Sequence, residues 1–470
     1  MRLMLILFGF LLVPASQASM ADRSIDAFIE RELPSSGAPG VAYAIVDGGA
    51  FRSGGRGTIL ADSGQSITPD TPFLIGSISK SFTAVAVMQL VEAGKIRLDA
   101  SIATYLRAFQ GRPSGAITIR QLLSHTSGFS TVQGNRAHMD TSLSEGSLGD
   151  YASRVAKWEP VHPPGSRWEY SNTNYQILGA LIEATSGQRY PDYVQAHILA
   201  PIGMKNSFVS DGQTPGKVAV GHRPWFGGKR AYEMRRTNRV SAPAGGIFAS
   251  ADDLALYLAM MLNGKDDIIS AASKAAMLRP ASETSPFYGF GWFLDSRTGT
   301  AYHDGLVPGT ETLATLLPSQ GKAVVVLVNA NSGIGFGETL KLREGITAKA
   351  LGLDYAGHGS RLVPKMTYLL VMLLPLFFLA SIVWAWWHRE KLRTKSGAAG
   401  MFSLWFPLVA MLAVAGLLTV VIPAMFGGSI RTLLLFQPDF AGAMVAAAVM
   451  GPIWAIVRLA LAYSRRANPV

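Results

Sequence analysis

The stretch Phe73-Leu74-Ile75-Gly76-Ser77-Ile78-Ser79-Lys80-Ser81-Phe82 decides how the rest of the chain is read. It runs into Ala84-Val85-Ala86-Val87-Met88-Gln89-Leu90-Val91-Glu92, a helix-forming segment. A helix that starts at Ser77 puts Ser77 and Lys80, three residues apart, on one face. A hydroxyl and an amine then lie side by side at the positive end of a mostly buried helix, where backbone N–H groups are free. These are the parts of an activated serine: a hydroxyl, an amine to take its proton, and donors for an oxyanion. A bare S-x-x-K arises by chance about once or twice in a chain of this length. Ser319-Gln320-Gly321-Lys322 is such a copy, set in a turn between two strand-like runs with no helix behind it. The remaining sequence has to distinguish a nucleophile from an ordinary helix cap at Ser77.

The 470 residues leave room for more than one domain. There is no cysteine, which excludes disulfides, zinc–thiolate sites and a thiol nucleophile. The net charge is +11, and from Pro364 onward nine Lys/Arg stand against two Asp/Glu, a local +7. The excess thus belongs mainly to the apolar C-terminal part, where it reads as membrane topology rather than nucleic-acid binding. Residues 1–18 read as an export signal: Arg2, an apolar core Leu3 to Val13, and small residues around Ser16-Gln17-Ala18. Near the other end, residues 366–387, 401–426 and 441–463 are each long and apolar enough to span a bilayer. Arg389, Lys391, Arg393 and Lys395 lie between the first two, only Arg431 between the second and third, and Arg465 and Arg466 after the last. Lys/Arg-rich loops stay cytoplasmic, so residues 19–351 are expected outside and the tail 464–470 inside. The signal peptide predicts the same side.

Between these ends, helix patterns are expected at Ala21–Leu33, Ile117–Leu123, Tyr175–Thr185, Tyr190–Leu199, Asp252–Leu262 and Gly337–Leu351. Strands are expected at Gly40–Val46, Phe51–Ile59, Gly289–Leu294, Thr300–His303, Glu311–Leu317 and Ala323–Asn329. Strands at both ends with helices between predict an α+β domain whose sheet joins the two ends. Residues 352–365, with three glycines and a proline, read as the linker to the apolar segments.

Two further motifs carry chemistry. Tyr170-Ser171-Asn172 precedes a helix; a tyrosine beside an amine ionises more easily and serves as a general base, and an asparagine amide can hold a substrate amide. His303-Asp304-Gly305 lies at the end of an expected strand, where glycine fits close approach of a substrate backbone. Taken alone, each also fits a bland reading: a buried tyrosine with an asparagine cap, and a hairpin turn. His125, in Ser124-His125-Thr126-Ser127-Gly128, reads as the brace of a hydrogen-bonded loop. No pair of His and carboxylates has metal-ligand spacing, and no glycine-rich phosphate loop opens a helix, so neither metal nor cofactor is expected.

The order S-x-x-K, then Y-x-N about ninety residues on, then H-x-G on a late strand, resembles the serine β-lactamase and penicillin-binding-protein-like family. Its class C, D-peptidase and esterase branch is the nearest match. Leu122-Leu123-Ser124-His125-Thr126-Ser127-Gly128 and Pro243-Ala244-Gly245-Gly246 add to the likeness, which covers about residues 25–351. The resemblance implies a β-lactamase/transpeptidase-like domain: an antiparallel sheet flanked by helices plus a helical subdomain. It implies Ser77 as the acylated nucleophile and Lys80 as its proton acceptor, or as the group that readies Tyr170. It implies Tyr170 as the main acid and base, and Asn172 on the acyl-amide side. His303 takes the place of the residue that supports the tyrosine, and the backbone N–H groups of Ser77 and Leu306 form the oxyanion hole. Relatives often carry Thr or Ser where this chain has Asp304, a charge that would repel a substrate carboxylate.

An exported hydrolase of this kind followed by three apolar helices also resembles prodrug-activating peptidases of nonribosomal peptide pathways, such as the colibactin-maturing peptidase. The expected partners are a small-molecule or peptide substrate and a lipid bilayer, with no nucleic acid; a homo-oligomer through the apolar helices is allowed. The expected chemistry is cleavage of amide or peptide bonds in D-residue-containing or prodrug-type substrates. Ester or β-lactam hydrolysis stands as an alternative, as does, in another class, a sensor that binds cell-wall fragments.

Overall fold

The computed structural model describes residues 15–139, 146–212, 216–232, 239–355, 357 and 359–464. The expected export signal lies outside these residues up to position 14, and the expected tail does so beyond Ser464.

Six strands form the main sheet: β1 (Gly40–Asp47), β2 (Ala50–Gly57), β3 (Phe293–Asp295), β4 (Thr300–Val307), β5 (Thr310–Leu317) and β6 (Lys322–Val328). The order is β2-β1-β6-β5-β4-β3, antiparallel throughout, so the first and last strands of the domain pair at its centre, as the pattern predicted. Both central strands are apolar without interruption because both of their faces are covered. Val41, Tyr43 and Ile45 of β1 and Val324, Val326 and Val328 of β6 face the helices α1 (Ala15–Ser36) and α4 (Leu340–Leu351). Ala42, Ala44, Val325 and Leu327 face the larger core, which holds α2 (Ser79–Glu92) and α3 (Asn172–Ser186). Residues 79–88 of α2 are buried all round, which makes this helix the interior post of the helical subdomain.

The expected strand Gly289–Leu294 begins only at Phe293. Gly291 takes a left-handed φ of +78°, and Gly289 N–H bonds back to Trp292 O, so this segment turns before it extends. Conversely, β4 continues to Val307, so His303-Asp304-Gly305 lies within a strand rather than at its end. The helix expected at Tyr190–Leu199 passes into a π-helical turn at Gln195–Leu199.

Beyond α4, three helices are long and apolar enough to cross a membrane: α5 (Leu362–Trp387), α6 (Gly397–Met425) and α7 (Pro438–Tyr463). The first begins four residues before the expected Met366, which shortens the linker. They bundle around Tyr368, Val371, Phe378, Leu418 and Met444, and keep Phe377, Trp387 and Val420 exposed. The bundle is also bonded to the sheet domain. Asp439, at the start of α7, is buried and accepts from Tyr368 OH and from the backbone N–H of Phe226, both at 2.7 Å. Phe226 sits at the tip of the hairpin formed by Gly221–Trp225 and Gly228–Tyr232. Gln437 Nε2 donates to Ser332 O at 2.7 Å, and Arg223 Nη1 to Leu435 O at 3.0 Å.

Candidate active site

Ser77 stands in a 3₁₀ turn, Gly76–Ile78, that leads into α2. Gly76 gives this turn its shape. Its φ is +57°, and a Cβ there would stand 2.9 Å from the backbone nitrogen of Leu306. Only glycine lets the serine segment lie this close to β4, and the same approach brings the backbone nitrogens of Ser77 and Leu306 into one neighbourhood. Gly305 serves the same contact from the other side: a Cβ would meet Ile75 O at 2.0 Å and Thr312 Oγ1 at 2.1 Å. The expected reason for that glycine, approach of a substrate backbone, is therefore replaced by approach of the enzyme's own chain. Thr312 Oγ1 donates to Ile75 O at 2.8 Å and pins the junction.

Lys80 and Tyr170 converge on Ser77. Its Oγ lies 2.9 Å from Lys80 Nζ and 2.9 Å from Tyr170 OH. Lys80 Nζ also lies 2.8 Å from Asn172 Oδ1 and 2.7 Å from Ala244 O. Lys80 is fully buried, and burial pushes its amine well below the usual lysine range, with the charge of Asp304 opposing in part. Burial pushes the Tyr170 phenol well above its usual range; its hydrogen bond with Ser77 opposes this and the Asp304 charge adds to it. Burial thus opposes the expected easier ionisation of the tyrosine beside the amine and favours the uncharged form of each group. Lys80 Nζ donates to Ser77 Oγ, Asn172 Oδ1 and Ala244 O, and the Tyr170 O–H donates to Ser77 Oγ.

His125 holds this tyrosine, as its turn suggested. It is fully buried with φ +59°, and its ring lies 4.4 Å, centroid to centroid, from that of Tyr170. Its Nδ1 accepts from Ser171 N at 3.2 Å and faces Asn174 Nδ2 at 3.0 Å, and its carbonyl accepts from Glu169 N at 2.9 Å. Burial pushes its ring well below the usual histidine range, and any charge on Lys80 or His303 adds to this.

His303 is buried 6.2 Å from the Tyr170 ring, centroid to centroid. Its hydrogen bonds go to Tyr288 OH at 3.2 Å and to Asp304 O at 2.7 Å. It stands beside Tyr170 by packing rather than through a hydrogen bond. Burial pushes its ring down to about 4. Asp304 is half-buried on the opposite side of β4, with its charge felt at Lys80, Tyr170 and His303. The strand β3 pairs with β4 only over Thr300–Tyr302. Among the described residues the outer edge of β4 from His303 to Val307 has no strand partner, which leaves an open edge near Ser77.

Asn172 is occupied at both ends: Oδ1 by Lys80, and Nδ2, which donates to Asn135 Oδ1 at 3.0 Å. Asn135, Tyr288, Thr312 and the carbonyl of Ala244 were not singled out for the site from sequence. The last sits in Pro243-Ala244-Gly245-Gly246, and that phrase was the one available signal.

A family model described as beta-lactamase matches residues 22–349. Protein flp of Staphylococcus aureus strain MW2 is 26% identical over 427 residues, which cover 87% of this chain and 84% of that protein. The crystal structure of SurE with D-Leu superposes with a TM-score of 0.60 at 26% identity, over 73% of this chain and 78% of that one. A class C beta-lactamase shares the fold, with a TM-score of 0.60 at 18% identity over 73% and 98%. A sheet that joins both ends of the domain and a buried S-x-x-K helix sit within the matched span, and the chain belongs to the beta-lactamase family of serine hydrolases.

Proposed function

We propose that this protein is a membrane-anchored serine hydrolase that works outside the inner membrane through an acyl-enzyme on Ser77. Its preferred bonds are amides or peptides in D-residue-containing or prodrug-type substrates. The observation that carries the reading is the pair of 2.9 Å contacts on Ser77 Oγ, one from a buried amine and one from a phenol. A serine used only as a helix cap needs neither.

In the proposed reaction Lys80 takes the Ser77 proton as Oγ bonds to the substrate carbonyl carbon. The carbonyl oxygen becomes an oxyanion between the backbone N–H groups of Ser77 and Leu306. When the C–N bond breaks, the amine leaves with the Tyr170 proton, and the proton held on Lys80 neutralises the tyrosinate. Water then adds to the ester with the same proton path run in reverse. One lost oxyanion donor costs about 3–4 kcal/mol of transition-state binding.

Asp304 supports the choice of substrate. Its charge disfavours a carboxylate on the leaving side and accepts an amine or a neutral group. The likeness to SurE, described with D-Leu, supports a D-residue near the scissile bond. The apolar helices and their Lys/Arg distribution support the anchored, outward-facing topology.

The test is intact-mass analysis of the detergent-solubilised full chain and its Ser77→Ala variant, each treated with a fluorophosphonate and with a penicillin. A fluorophosphonate adduct mapped to Ser77 and absent from the variant is expected, with little penicillin adduct. Replacing Asp304 by threonine should raise the penicillin reaction. No fluorophosphonate adduct on the full-length protein would remove the central claim.

A further inference from the structure

The loop between α6 and α7 reaches the active site. Gly427 O accepts from Asn135 Nδ2 at 2.7 Å, Asn135 Oδ1 accepts from Asn172 Nδ2 at 3.0 Å, and Asn172 Oδ1 accepts from Lys80 Nζ at 2.8 Å. The sense of this chain is forced at every step. Lys80 offers N–H groups, so Asn172 must turn its oxygen inward and its NH₂ outward. Asn135 must then show its oxygen to Asn172, which leaves its own NH₂ pointing at the loop. The carbonyl of Gly427 is the acceptor that completes the series. Were Asn135 to flip, two NH₂ groups would face each other and two carbonyls would oppose at the loop.

A second thread runs beside the first. Gly427 has φ +68°, and a Cβ on it would stand 2.8 Å from Thr131 Cγ2. Thr131 Oγ1 donates to Tyr170 O at 2.7 Å, and Thr131 N donates to Glu169 Oε1 at 2.9 Å. Thr131 and Asn135 share the helix Thr131–Met139. Gly134 lets that helix lie against the Ser171–Asn172 backbone, since a Cβ there would meet Asn172 N at 2.5 Å. The loop itself is held down at its far end by the Gln437 to Ser332 and Asp439 to Phe226 contacts.

We propose that the connection Phe426–Gln437, a short loop at Gly427 followed by the helix Ile430–Phe436, is a structural part of the active site, and that Asn135 is a positioning residue through which it fixes Asn172 and Lys80. The helical bundle thereby acts on reactivity at Ser77 as well as on location. This rests on the reading of Ser77, Lys80 and Tyr170 given above.

Two variants test the link in the full-length protein in detergent: Gly427→Ala, which displaces the loop without touching any catalytic group, and Asn135→Ala. Saturation kinetics of fluorophosphonate labelling should show the maximal inactivation rate about three- to tenfold lower in each, the range one hydrogen bond carries, with the half-saturating concentration unchanged. The double variant should lose no more than the worse single one, because both cut the same chain. Hydrogen exchange at residues 169–174, which needs no activity, should rise in both variants. Labelling at the wild-type rate in Gly427→Ala, additive losses, or unchanged exchange at 169–174 would overturn the proposal. Failure of the wild type to label would instead remove the hydrolase reading, and exchange would still decide the link.

Discussion

Replacing Gly305 by alanine tests the geometry of the oxyanion hole most directly. The added Cβ would sit 2.0 Å from Ile75 O and 2.1 Å from Thr312 Oγ1. Ordinary carbon–oxygen contact needs roughly 3.2 Å or more, so β4 and the Ile75–Ser77 segment must part by about 1 Å. The contact with Ile75 O is against backbone, so rotation of the Thr312 side chain can relieve only the second clash. The separation acts on the very junction that carries Ser77 and Leu306. A misplacement of about 1 Å costs on the order of 10²-fold in rate, close to the loss of one oxyanion donor. Stability should fall by about 1–3 kcal/mol, as for other overpacked sites. Gly305 has no left-handed φ, so its substitution acts through the clash; Gly321→Ala, in the turn between β5 and β6 with φ +61° and open space around it, is the control for a strained alanine away from the junction. The assay is the second-order rate of fluorophosphonate labelling, alongside thermal unfolding of each variant. Labelling of a folded Gly305→Ala protein within threefold of wild type would refute the reasoning.

Tyr170→Phe removes the acid but leaves the base; amide turnover should drop about 10²–10⁴-fold, and turnover of an activated ester with a good leaving group much less, read from paired kcat values. Labelling of Ser77 should rise with pH as Lys80 loses its proton and level off above its depressed range, because the neutral amine is the working form; Lys80→Arg, charged at every pH, should show no such plateau. Stability should fall on acidification: His303 titrates near 6.5 when unfolded but at about 4 when folded, so the unfolded chain binds more protons between these values. The loss is about 1.4 kcal/mol per pH unit for each such histidine, His125 acts in the same direction, and a flatter dependence of the urea midpoint in His303→Asn would identify the contribution.

The parts of the site that sequence made legible are those whose spacing is local or whose order is constrained. Ser77 and Lys80 are three residues apart on one turn, and the sheet centre is written in two valine-rich runs, Gly40–Asp47 and Lys322–Val328. Tyr170 and Asn172 stood out because their triplet precedes a helix. That burial holds the Lys80 amine below and the Tyr170 phenol above their usual ranges was not legible, since composition does not show that both end groups are buried. Asn135, Thr312 and Tyr288 left no mark, because a single polar side chain gains its role only from what tertiary packing sets opposite it. Gly305 was noticed, but its reason lies in Ile75 and Thr312, more than two hundred and a few residues away respectively, and no local pattern contains that contact.

Asp439 has a further consequence. It joins the first helix of the bundle, through Tyr368, to the hairpin of the sheet domain, through Phe226. In the proposed topology the nucleophile then rides at one height above the lipid and does not swing on a tether. Molecules held in that thin layer would meet Ser77 more often than those dispersed in the water. For such an enzyme a greasy tail on the substrate works as an address: it raises how often the scissile bond visits the layer at a given concentration in the water beyond.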